Sequence, residues 1–468
     1  MYKNFGLALL PTLISSIVGF DLNCNNNQVF YWGQNSYGGA HLNNPELWEK
    51  DLAKYCDDGY MDVINLSFLN NFNAGTSFPE INFSNHCEDF FTDPIASKLR
   101  HCPKIGQDIK YCQSKGKKII LSLGGAIART GFDSSAAASE FADTIWNMFM
   151  KGNHKYRPFD DAQIDGIDLD LEGGSQAYYD VFLSKLQTYY KSDPSKKYYV
   201  SAAPQCVFPD GNLNTIMESS YIDFINIQFY NNWCGVQNYG NQWAWNWGDW
   251  DKWAHNKSFN KNIKLILGVP ASQTAAGSGY ITTDKLQSIV SDLKSNNTFA
   301  GVMMWDASQS ENNIIGGKTY GKIIKDYLSN TGNCGSPPVT TSTTSTTSTT
   351  TTTTINPPVT STTTTTSTTK PPVTTTTTTT TTKPPVTSTT TTTSSGPSPT
   401  GTCPVSGQPC NGGAACNGQN FATCDNGKWV VRACPAGTVC AITNGNAYCD
   451  WPGNNPAPPC SGVLIARD

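Results

Sequence analysis

Short apolar runs rich in β-branched and aromatic residues alternate with longer helix-like stretches between residues 28 and 305. The runs predict eight strands: Gln28–Trp32, Met61–Leu69, Lys118–Leu123, Ile164–Leu171, Tyr198–Ala203, Ile222–Phe229, Ile263–Val269 and Phe299–Trp305. Intervening segments such as Ser135–Met150 and Gln176–Lys191 are long enough for crossover helices, so the sheet is expected to be parallel. Eight such units favour closure into an α/β (β/α)8 TIM barrel. An open doubly wound sheet is the alternative, but no Gly-rich phosphate-binding turn follows the first strand.

The pattern changes abruptly after Cys334, and three further segments are predicted. Residues 335–402 consist mainly of Thr, Ser and Pro. Because they lack apolar side chains that could offset the entropy of ordering, we expect an extended, O-glycosylated linker. Residues 403–460 hold eight cysteines in a stretch too short for a self-sufficient core, so disulfides are expected to staple a small domain. Residues 461–468 form a tail.

Four aromatic residues in this small domain are candidates for a sugar-binding surface: Phe421, Trp429, Tyr448 and Trp451. Each of them can either fill the small core or lie exposed as a flat platform. We expect at least one of the four to face a polysaccharide.

The N-terminus predicts a secretory signal peptide over residues 1–19. Lys3 precedes an apolar run from Phe5 to Val18, which ends at the small residue Gly19. A transmembrane anchor is the alternative, but the run is short and Pro11 interrupts it. A catalytic domain is then expected over residues 20–334, in a protein that is secreted, extracellular or associated with a cell wall. In that oxidising setting the 16 cysteines indicate disulfides rather than metal ligands.

The charge balance narrows the range of partners. The formal net charge is -4 and only 15% of the residues are charged, so no broad basic surface is available for nucleic acid. Aromatic residues make up 11% of the chain, and flat side chains suit sugars, which have apolar faces and polar rims. We therefore expect a monomer without a membrane or nucleic-acid partner, without a cofactor and without a metal.

One predicted strand carries the candidate chemistry. From Asp165 to Glu172, acidic and apolar residues alternate, so Asp168, Asp170 and Glu172 share one face of the strand. In a barrel these carboxyl groups would point inward and rise toward the C-terminal rim, where barrel enzymes keep their active sites. Crowded, buried acids are expected to share protons, and a protonated Glu172 could act as a general acid.

Two other interpretations of this strand remain. A solvated strand face would show the same alternation, but the Gly173-Gly174 ending and apolar flank do not suit an edge strand. Three carboxylates could also hold Mg²⁺ or Mn²⁺ through their oxygens. Few additional acids or histidines lie near the other predicted strand ends, which disfavours a metal site.

The strand resembles the Asp-x-x-Asp-x-Asp-x-Glu signature of glycoside hydrolase family 18, with a match at every signature position: Asp165, Asp168, Asp170 and Glu172. Four other segments support the resemblance: Tyr31-Trp32-Gly33-Gln34-Asn35, Ser122-Leu123-Gly124-Gly125, Gln228-Phe229-Tyr230-Asn231 and Met303-Met304-Trp305-Asp306. Over roughly residues 25–327 the chain is similar to the class III chitinases of fungi and plants, with the layout of secreted yeast-type enzymes. The tail domain resembles a chitin-binding module of carbohydrate-binding module family 19.

The resemblance implies a retaining, substrate-assisted mechanism in which the 2-acetamido oxygen of the substrate attacks the anomeric carbon. It implies that Glu172 is the acid and base, that Asp170 orients the acetamido group, and that Asp168 shares a proton with Asp170. Tyr230 matches the tyrosine that holds the acetamido carbonyl. Trp305 matches the tryptophan beneath the cleaved sugar. Packed-core roles are the alternatives for both aromatic residues.

Further sugar contacts implied by the resemblance are Tyr31, Gln34, Gln228 and Asn82. Asn82 also begins a glycosylation sequon, as do Asn65, Asn256 and Asn296, so a glycan competes with sugar binding at Asn82. Asn65 lies in a predicted strand and is expected to be unmodified. The resemblance also implies disulfides Cys56–Cys112, Cys87–Cys102 and Cys206–Cys234, which leave Cys24 and Cys334 to join the ends of the barrel.

Two other functions fit the same barrel. A catalytically inactive lectin would keep the fold, since a barrel does not prove activity. An endoglycosidase that cuts the chitobiose core of N-glycans would use the same carboxylates. The linker and tail domain favour an insoluble polymer, because tethering raises the effective concentration at a surface.

Overall fold

The structure is a computed structural model that describes residues 19–72, 78–126, 128 and 130–334. In the C-terminal part it describes residues 404–410, 414–418, 420–425, 428–433, 439–443 and 446–450. The predicted linker, the tail, Trp451 and all of the predicted signal peptide except Gly19 lie outside the described residues. The chain divides into two compact units, residues 1–348 and 349–468.

The N-terminal unit is built on one sheet of nine strands: β1 (Asn27–Trp32), β2 (Val63–Asn71), β3 (Glu80–Ile81), β4 (Lys118–Gly124), β5 (Gly166–Asp170), β6 (Tyr199–Ala202), β7 (Phe224–Gln228), β8 (Lys264–Pro270) and β9 (Phe299–Trp305). Eight of them are parallel, and β1 pairs with both β2 and β9, so the sheet closes on itself. The two-residue strand β3 is an antiparallel addition to β2. The predicted (β/α)8 barrel is confirmed, and each predicted strand overlaps an observed barrel strand.

Within the described residues, ten α-helices accompany the strands: α1 (Ser36–Ala40), α2 (Leu52–Asp57), α3 (Pro103–Ser114), α4 (Ser135–Phe149), α5 (Tyr179–Ser192), α6 (Asn214–Ser219), α7 (Trp247–Asn256), α8 (Thr283–Leu293), α9 (Ala307–Asn312) and α10 (Tyr320–Thr331). Short 3-10 turns lie at Pro45–Leu47, Ser84–His86, Pro94–Ala96 and Val236–Asn238, and a small hairpin joins β10 (Ile314–Ile315) to β11 (Lys318–Thr319). Helix α4 begins where the side chain of Ser134 accepts a hydrogen bond from the Ala137 amide. Both crossover helices predicted from the sequence are present.

The barrel interior is layered. At its N-terminal end Phe20 packs edge-to-face against Tyr199 and Phe224, with ring centroids 5.2 and 5.3 Å apart. A polar layer above it contains fully buried side chains from successive strands: Asn65, Ser122, Asp168, Ser201 and Asn226. The apolar residues on the opposite faces of the strands pack outward against the helices. Side chains therefore fill the lower part of the barrel interior, which leaves the C-terminal end for the candidate site.

Four disulfides hold the barrel unit: Cys24–Cys334, Cys56–Cys112, Cys87–Cys102 and Cys206–Cys234. All four predicted pairs are confirmed. The bond between Cys24 and Cys334 spans 310 residues and joins the segment before β1 to the segment after α10. Long loops of this kind restrict the unfolded chain most strongly.

The C-terminal unit is a small β structure. Strands β12 (Ala414–Asn417), β13 (Asn420–Asp425) and β14 (Lys428–Ala433) form an antiparallel sheet, and β15 (Val439–Thr443) pairs with β16 (Asn446–Asp450). A disulfide joins Cys416 to Cys440. A disulfide-containing β unit of this size agrees with the small stapled domain expected from the sequence.

Two surface features bear on glycosylation and membranes. Asn65 is fully buried on β2, within one of the predicted strands, and the absence of a glycan at its sequon stays a prediction. Asn256 is exposed at the end of α7. Among the described helices, none combines the length and the apolar character needed to cross a membrane.

Candidate active site

Strand β5 presents its acidic residues to the barrel interior and its apolar residues to the helices. Asp168 pairs in register with Ser122 on β4 and with Ser201 on β6. Ile167 and Leu169 belong to the outer core. The alternation in the sequence therefore places the carboxyl groups inside the barrel, as expected from the two-residue period.

The first acid of the signature has a structural position. The Asp165 carboxylate accepts hydrogen bonds from the Ile119 amide at 2.9 Å and from Gln113 Nε2 at 2.9 Å. Its other oxygen forms an ion pair with Lys196 Nζ at 3.1 Å. Asp165 thus ties the start of β5 to its neighbours and does not reach the upper end of the barrel.

The second acid, Asp168, is fully buried and surrounded by donors. Oδ2 accepts from Tyr31 Oη at 2.8 Å and from Ser122 Oγ at 2.7 Å. Oδ1 accepts from Ser201 Oγ at 2.6 Å and from Asn226 Nδ2 at 3.5 Å. Burial raises the pKa of Asp168, whereas these hydrogen bonds lower it. Four donors are the coordination that suits a carboxylate anion.

Asp170, one pleat higher, has a different environment. Its Oδ1 accepts a hydrogen bond from Gln228 Nε2 at 2.9 Å. Burial, followed by the negative charges of Glu172 and Asp168, raises the pKa of Asp170 well above its usual range. A proton shared in this acid column therefore belongs on Asp170, because Asp168 already has its donors.

Glu172 lies two residues beyond the end of β5 and is partly exposed. Its Oε2 accepts a long hydrogen bond from Gln205 Nε2 at 3.4 Å, and Gln205 Oε1 in turn accepts from Asn232 Nδ2 at 3.1 Å. Burial and the charge of Asp210 raise the pKa of Glu172, although the Gln205 bond opposes the shift. A raised pKa keeps the proton that a general acid must donate.

The upper end of the barrel opens into a cavity of about 400 Å³. Its walls include seven of the residues predicted from the sequence: Glu172, Asp170, Tyr230, Trp305, Gln228, Gln34 and Asn82. Tyr230 is nearly buried, and burial together with the charges of Asp170 and Glu172 raises the pKa of its hydroxyl well above the usual range. This hydroxyl therefore remains a hydrogen-bond donor at neutral pH.

Two glycines allow the walls to meet around Asp170. Gly124 at the end of β4 has φ +122°, and a Cβ atom there would lie 2.1 Å from the Asp170 carbonyl oxygen. The Gly125 amide donates to the same oxygen at 2.8 Å, and its own φ is +92°. The Gly-Gly pair that follows β4 thus fixes the backbone on which Asp170 stands.

Tyr31 and Asp168 do not line the cavity but lie beneath it. Tyr31 is 1% exposed, and its hydroxyl is directed at Asp168. The hydroxyl is therefore engaged below the cavity floor, and the sugar contact expected at Tyr31 stays a prediction. Gln34 is held by hydrogen bonds from its Nε2 to the carbonyl oxygens of Ser67 at 2.8 Å and Asn82 at 3.0 Å.

Several residues that line the cavity were not among the site residues predicted from the sequence: Phe68, Asn70, Gln205, Asn231, Asn232 and Ala275. Gln205 follows the end of β6, and a search for polar residues just beyond each predicted strand would have found it. Phe68 stacks with Trp305, with ring centroids 6.1 Å apart and planes 15° from parallel. No residue pattern marks Phe68 in advance, because its place in the cavity depends on contacts across the barrel.

The tail-domain candidates divide between two faces of a sheet. Trp429 on β14 stands opposite Cys424, whereas Phe421 on β13 stands opposite Arg432. Since Phe421 and Cys424 are three residues apart, Phe421 and Trp429 lie on opposite faces and cannot form one platform. Both are partly buried. Tyr448 lies on β16, and its side chain, like Trp451, is outside the described part of the structure.

The side chains that line the site suit proton transfer and sugar binding. Among the described residues, no cluster of three His, Cys, Asp or Glu side chains has an arrangement able to hold a metal ion. A column of buried acids ends at Glu172, a partly exposed carboxyl group with a raised pKa, beside a tyrosine hydroxyl, an indole and amide side chains. Such a site can deliver a proton to a bound polyhydroxylated substrate that stacks on Trp305.

Similarity to known proteins identifies the family to which the chain belongs. The sequence matches glycosyl hydrolases family 18 over residues 27–282. It is 42% identical over 442 residues to chitinase 2 of Rhizopus oligosporus, covering 91% of this chain and 70% of that protein. It is also 42% identical over 325 residues to an endochitinase of Saccharomyces cerevisiae, covering 69% of this chain and 52% of that protein. The chain thus spans between about half and 70% of the length of these relatives.

Solved structures with the same fold carry different names. A chitinase from Ipomoea carnea has a TM-score of 0.52 and 31% identity, covering 64% of this chain and 99% of that one. A xylanase and alpha-amylase inhibitor protein from Scadoxus multiflorus has a TM-score of 0.52 and 29% identity, covering 65% and 98%. Since the fold is shared by proteins named for catalysis and for inhibition, activity must be argued from the site.

Proposed function

Because this chain belongs to glycosyl hydrolases family 18, we propose that it is a secreted, endo-acting chitinase. It cleaves β-1,4 bonds between N-acetylglucosamine units with retention of the anomeric configuration. It serves in fungal cell-wall remodelling or in chitin degradation. The supporting observation is that Glu172, Asp170 and Tyr230 open into one cavity with Trp305.

The first step is the departure of the leaving sugar. Glu172 transfers its proton to the glycosidic oxygen as the bond from that oxygen to the anomeric carbon breaks. The carbonyl oxygen of the substrate's own 2-acetamido group attacks the same carbon, which gives a cyclic oxazolinium ion. No protein nucleophile is needed, so the nearest acid is free to stabilise charge.

Asp170 and Tyr230 hold the acetamido group for that attack. The Tyr230 hydroxyl donates to the acetamido oxygen, and an Asp170 oxygen accepts from the acetamido N–H. As the ring becomes positive, the proton that Asp170 shares with Asp168 moves to Asp168, so that Asp170 carries the balancing negative charge. Asp168 is a positioning residue in this scheme, because four hydrogen-bond partners hold its carboxyl group below Asp170, with which it shares a proton. Tyr31 acts through Asp168 in the same way.

The second step uses the same groups in reverse. Glu172, now a carboxylate, removes a proton from water as the water oxygen attacks the anomeric carbon. The ring opens to restore the acetamido group, and Glu172 regains its proton. The aromatic floor formed by Trp305 holds the sugar ring throughout, while Gln34, Gln228 and Asn82 bind its polar rim.

A panel of substrates tests the proposed specificity. The purified protein is offered a soluble N-acetylglucosamine oligomer, insoluble chitin and a high-mannose N-glycoprotein, with EDTA in every reaction. We expect release of short oligomers from the first two and no deglycosylation of the third. Cleavage of the glycoprotein alone would indicate a glycan-trimming enzyme, and binding of chitin without turnover of any substrate would indicate a lectin.

The linker and tail domain are proposed to act as a tether to chitin. A chain truncated after Ser348 should keep kcat/KM on the soluble oligomer within about twofold and lose about tenfold in activity on insoluble chitin, because tethering raises the local enzyme concentration. Activities on both substrates are measured at equal enzyme concentration. An equal loss on both would instead show that the C-terminal unit supports the barrel.

A point variant sharpens the test of the tether. W429A changes a partly buried residue of the tail domain and leaves the barrel sequence intact. We expect weaker retention on insoluble chitin with unchanged turnover of the oligomer. F421A is the matched control, since Phe421 lies on the other face of the same sheet. Equal loss of retention in both variants would indicate damage to the small domain rather than removal of a contact.

A further inference from the structure

Two acidic side chains are buried behind the cavity wall, apart from the acid column of β5. Glu49 lies just before α2 and is 3% exposed, and Asp306 lies just after β9 and is 1% exposed. Neither residue lines the cavity, and the proposed hydrolysis uses neither of them. Burying two carboxyl groups is unfavourable unless each is neutralised or fully hydrogen-bonded.

Glu49 holds the backbone that carries Gln34. Its Oε2 accepts from the Gly33 amide at 2.9 Å, from the Asn35 amide at 3.1 Å and from His86 Nε2 at 3.0 Å. The two amides lie on either side of Gln34, which lines the cavity. Glu49 therefore fixes the position of one wall of the site.

Asp306 holds the strand end that carries Trp305. Its Oδ1 accepts from Ser308 Oγ at 2.7 Å and from the Gln309 amide at 2.9 Å, so it caps helix α9. Trp305 precedes it directly and lines the cavity. Asp306 therefore fixes the adjoining wall, since β9 pairs directly with β1 and Glu49 holds the loop that follows β1.

Each carboxyl group leaves one oxygen unused. Glu49 Oε1 and Asp306 Oδ2 are both buried without a hydrogen-bond partner. The other titratable groups around them are His86, bonded to Glu49, and the buried hydroxyls of Tyr55 and Tyr230, which feel the charge of Asp306. Within the described part of the chain, His86 is the one basic side chain in ion-pair range of either acid.

We propose that Asp306 is protonated and donates a hydrogen bond from Oδ2 to Glu49 Oε1, so that one shared proton ties the Gln34 loop to the Trp305 strand end. This bond satisfies both unused oxygens at once. Glu49 is the acceptor because its other oxygen already takes three donors, as an anion would. Glu49 and Asp306 are then positioning residues for the cavity.

The electrostatics agree with this geometry. Burial and then the charge of Glu49 raise the pKa of Asp306 to about 8. Hydrogen bonds from the Ser308 hydroxyl and from the Gln309 and Ser36 amides oppose this shift. An unfolded aspartate releases its proton near pH 4, so the folded protein binds a proton that the unfolded chain lacks from about pH 4 to about pH 8. Stability contributed by this proton is complete below pH 4 and is lost as pH rises through that interval.

Thermal melting tests the shared proton without any substrate. D306N supplies an amide that donates at every pH, so the difference in Tm between D306N and wild type should increase from pH 5 to pH 8 and level off above. E49Q removes the facing charge and should show the same trend. D165N is the control, because it makes the same substitution at a buried carboxyl group whose two oxygens already have partners, and so measures the effect of the amide itself.

Each outcome of the melting series is decisive. A D306N difference that stays flat from pH 5 to pH 8 means that Asp306 is ionised throughout and overturns the proposal. If the Tm difference increases with pH for D306N but stays flat for E49Q, the proton partner of Asp306 is not Glu49, which also overturns the proposal. If D306N fails to fold, the E49Q series still decides, because it removes the other half of the pair.

Enzyme kinetics test the positioning role, a consequence that rests on the proposed hydrolysis. Wild type and D306N share every other titrating group, so the ratio of their KM values on an N-acetylglucosamine oligomer isolates Asp306. We expect the ratio of wild type to D306N to rise at least threefold from pH 6.5 to pH 9. A constant ratio overturns the positioning role, whereas absence of turnover in both proteins contradicts the proposed function and leaves the melting result intact.

Discussion

Replacement of Glu172 by Gln is expected to lower kcat on an N-acetylglucosamine oligomer at least about 100-fold, with KM changed by less than about threefold. The amide keeps the size and polarity of the side chain but has no proton to donate to a leaving oxygen. Because Gln205 Nε2 still finds an acceptor in the new amide, the cavity should keep its shape. Initial rates of the two proteins with EDTA present throughout measure the effect.

The pH dependence of wild-type activity is a second test of the role of Glu172. Burial raises the pKa of Glu172, so the acid form persists above the pH at which an exposed glutamate ionises. Activity should therefore fall on the alkaline side as Glu172 loses its proton, and kcat/KM should show that limb in wild type. The residual activity of E172Q should lack it.

E140Q is the matched control, because it makes the same chemical change on the exposed face of α4. Its kinetics should equal those of wild type. Full activity in E172Q would remove Glu172 from the mechanism. Loss of wild-type activity in EDTA would mean that a metal takes part, and the acid column would need another explanation.

The fold was predictable because its signal is local. Strand β5 shows this well: the two-residue alternation from Ile167 to Asp170 indicates both the strand and the side of it that carries the acids. Eight such strands with helices between them leave few ways to close a sheet. Boundaries shifted by a few residues, as at β5, which ends at Asp170 rather than at Leu171.

The acid column was predictable in its members but not in its protonation. Spacing placed Asp168 and Asp170 on one face, yet the four donors around Asp168 come from four other strands of the barrel. Only the closed structure distinguishes the fully bonded Asp168 from Asp170, which accepts one bond from Gln228. For the same reason the sequence could not predict that the Tyr31 hydroxyl donates to Asp168 beneath the cavity.

The pairing of the residues behind the walls was beyond sequence reasoning, although Asp306 ends one of the four segments that support the family resemblance. Glu49 is separated from Asp306 by more than 250 positions, and neither lies in a periodic pattern that would assign it to a buried site. Their relation depends on how the loop after β1 and the end of β9 meet, which closure of the barrel determines. Long-range contacts of single side chains leave no periodic signal in a sequence.

Replacement of Asp170 by Asn is expected to have the second large effect, and to change activity and stability in opposite directions. In D170N the side chain can no longer carry the negative charge that balances the oxazolinium ion, so kcat should fall about 100-fold or more. Stability should change the other way. The pKa of Asp170 is raised well above its usual range by burial and by the charges of Glu172 and Asp168, so ionisation of this group opposes folding as pH rises.

D170N should therefore be less active and more stable than wild type at pH 7, with a Tm advantage that shrinks as pH falls through about 4, below which the aspartate is protonated in both the folded and the unfolded state. Melting curves and oligomer hydrolysis on the same preparation measure both effects. Y230F is the comparison, since it removes one hydroxyl from the same acetamido site without removing a charge, and it should lose activity with no pH-dependent gain in Tm. A D170N protein that lost activity and stability together would show that Asp170 holds the barrel rather than the substrate. Opposite signs would instead identify a group kept in an unfavourable state for the sake of the reaction.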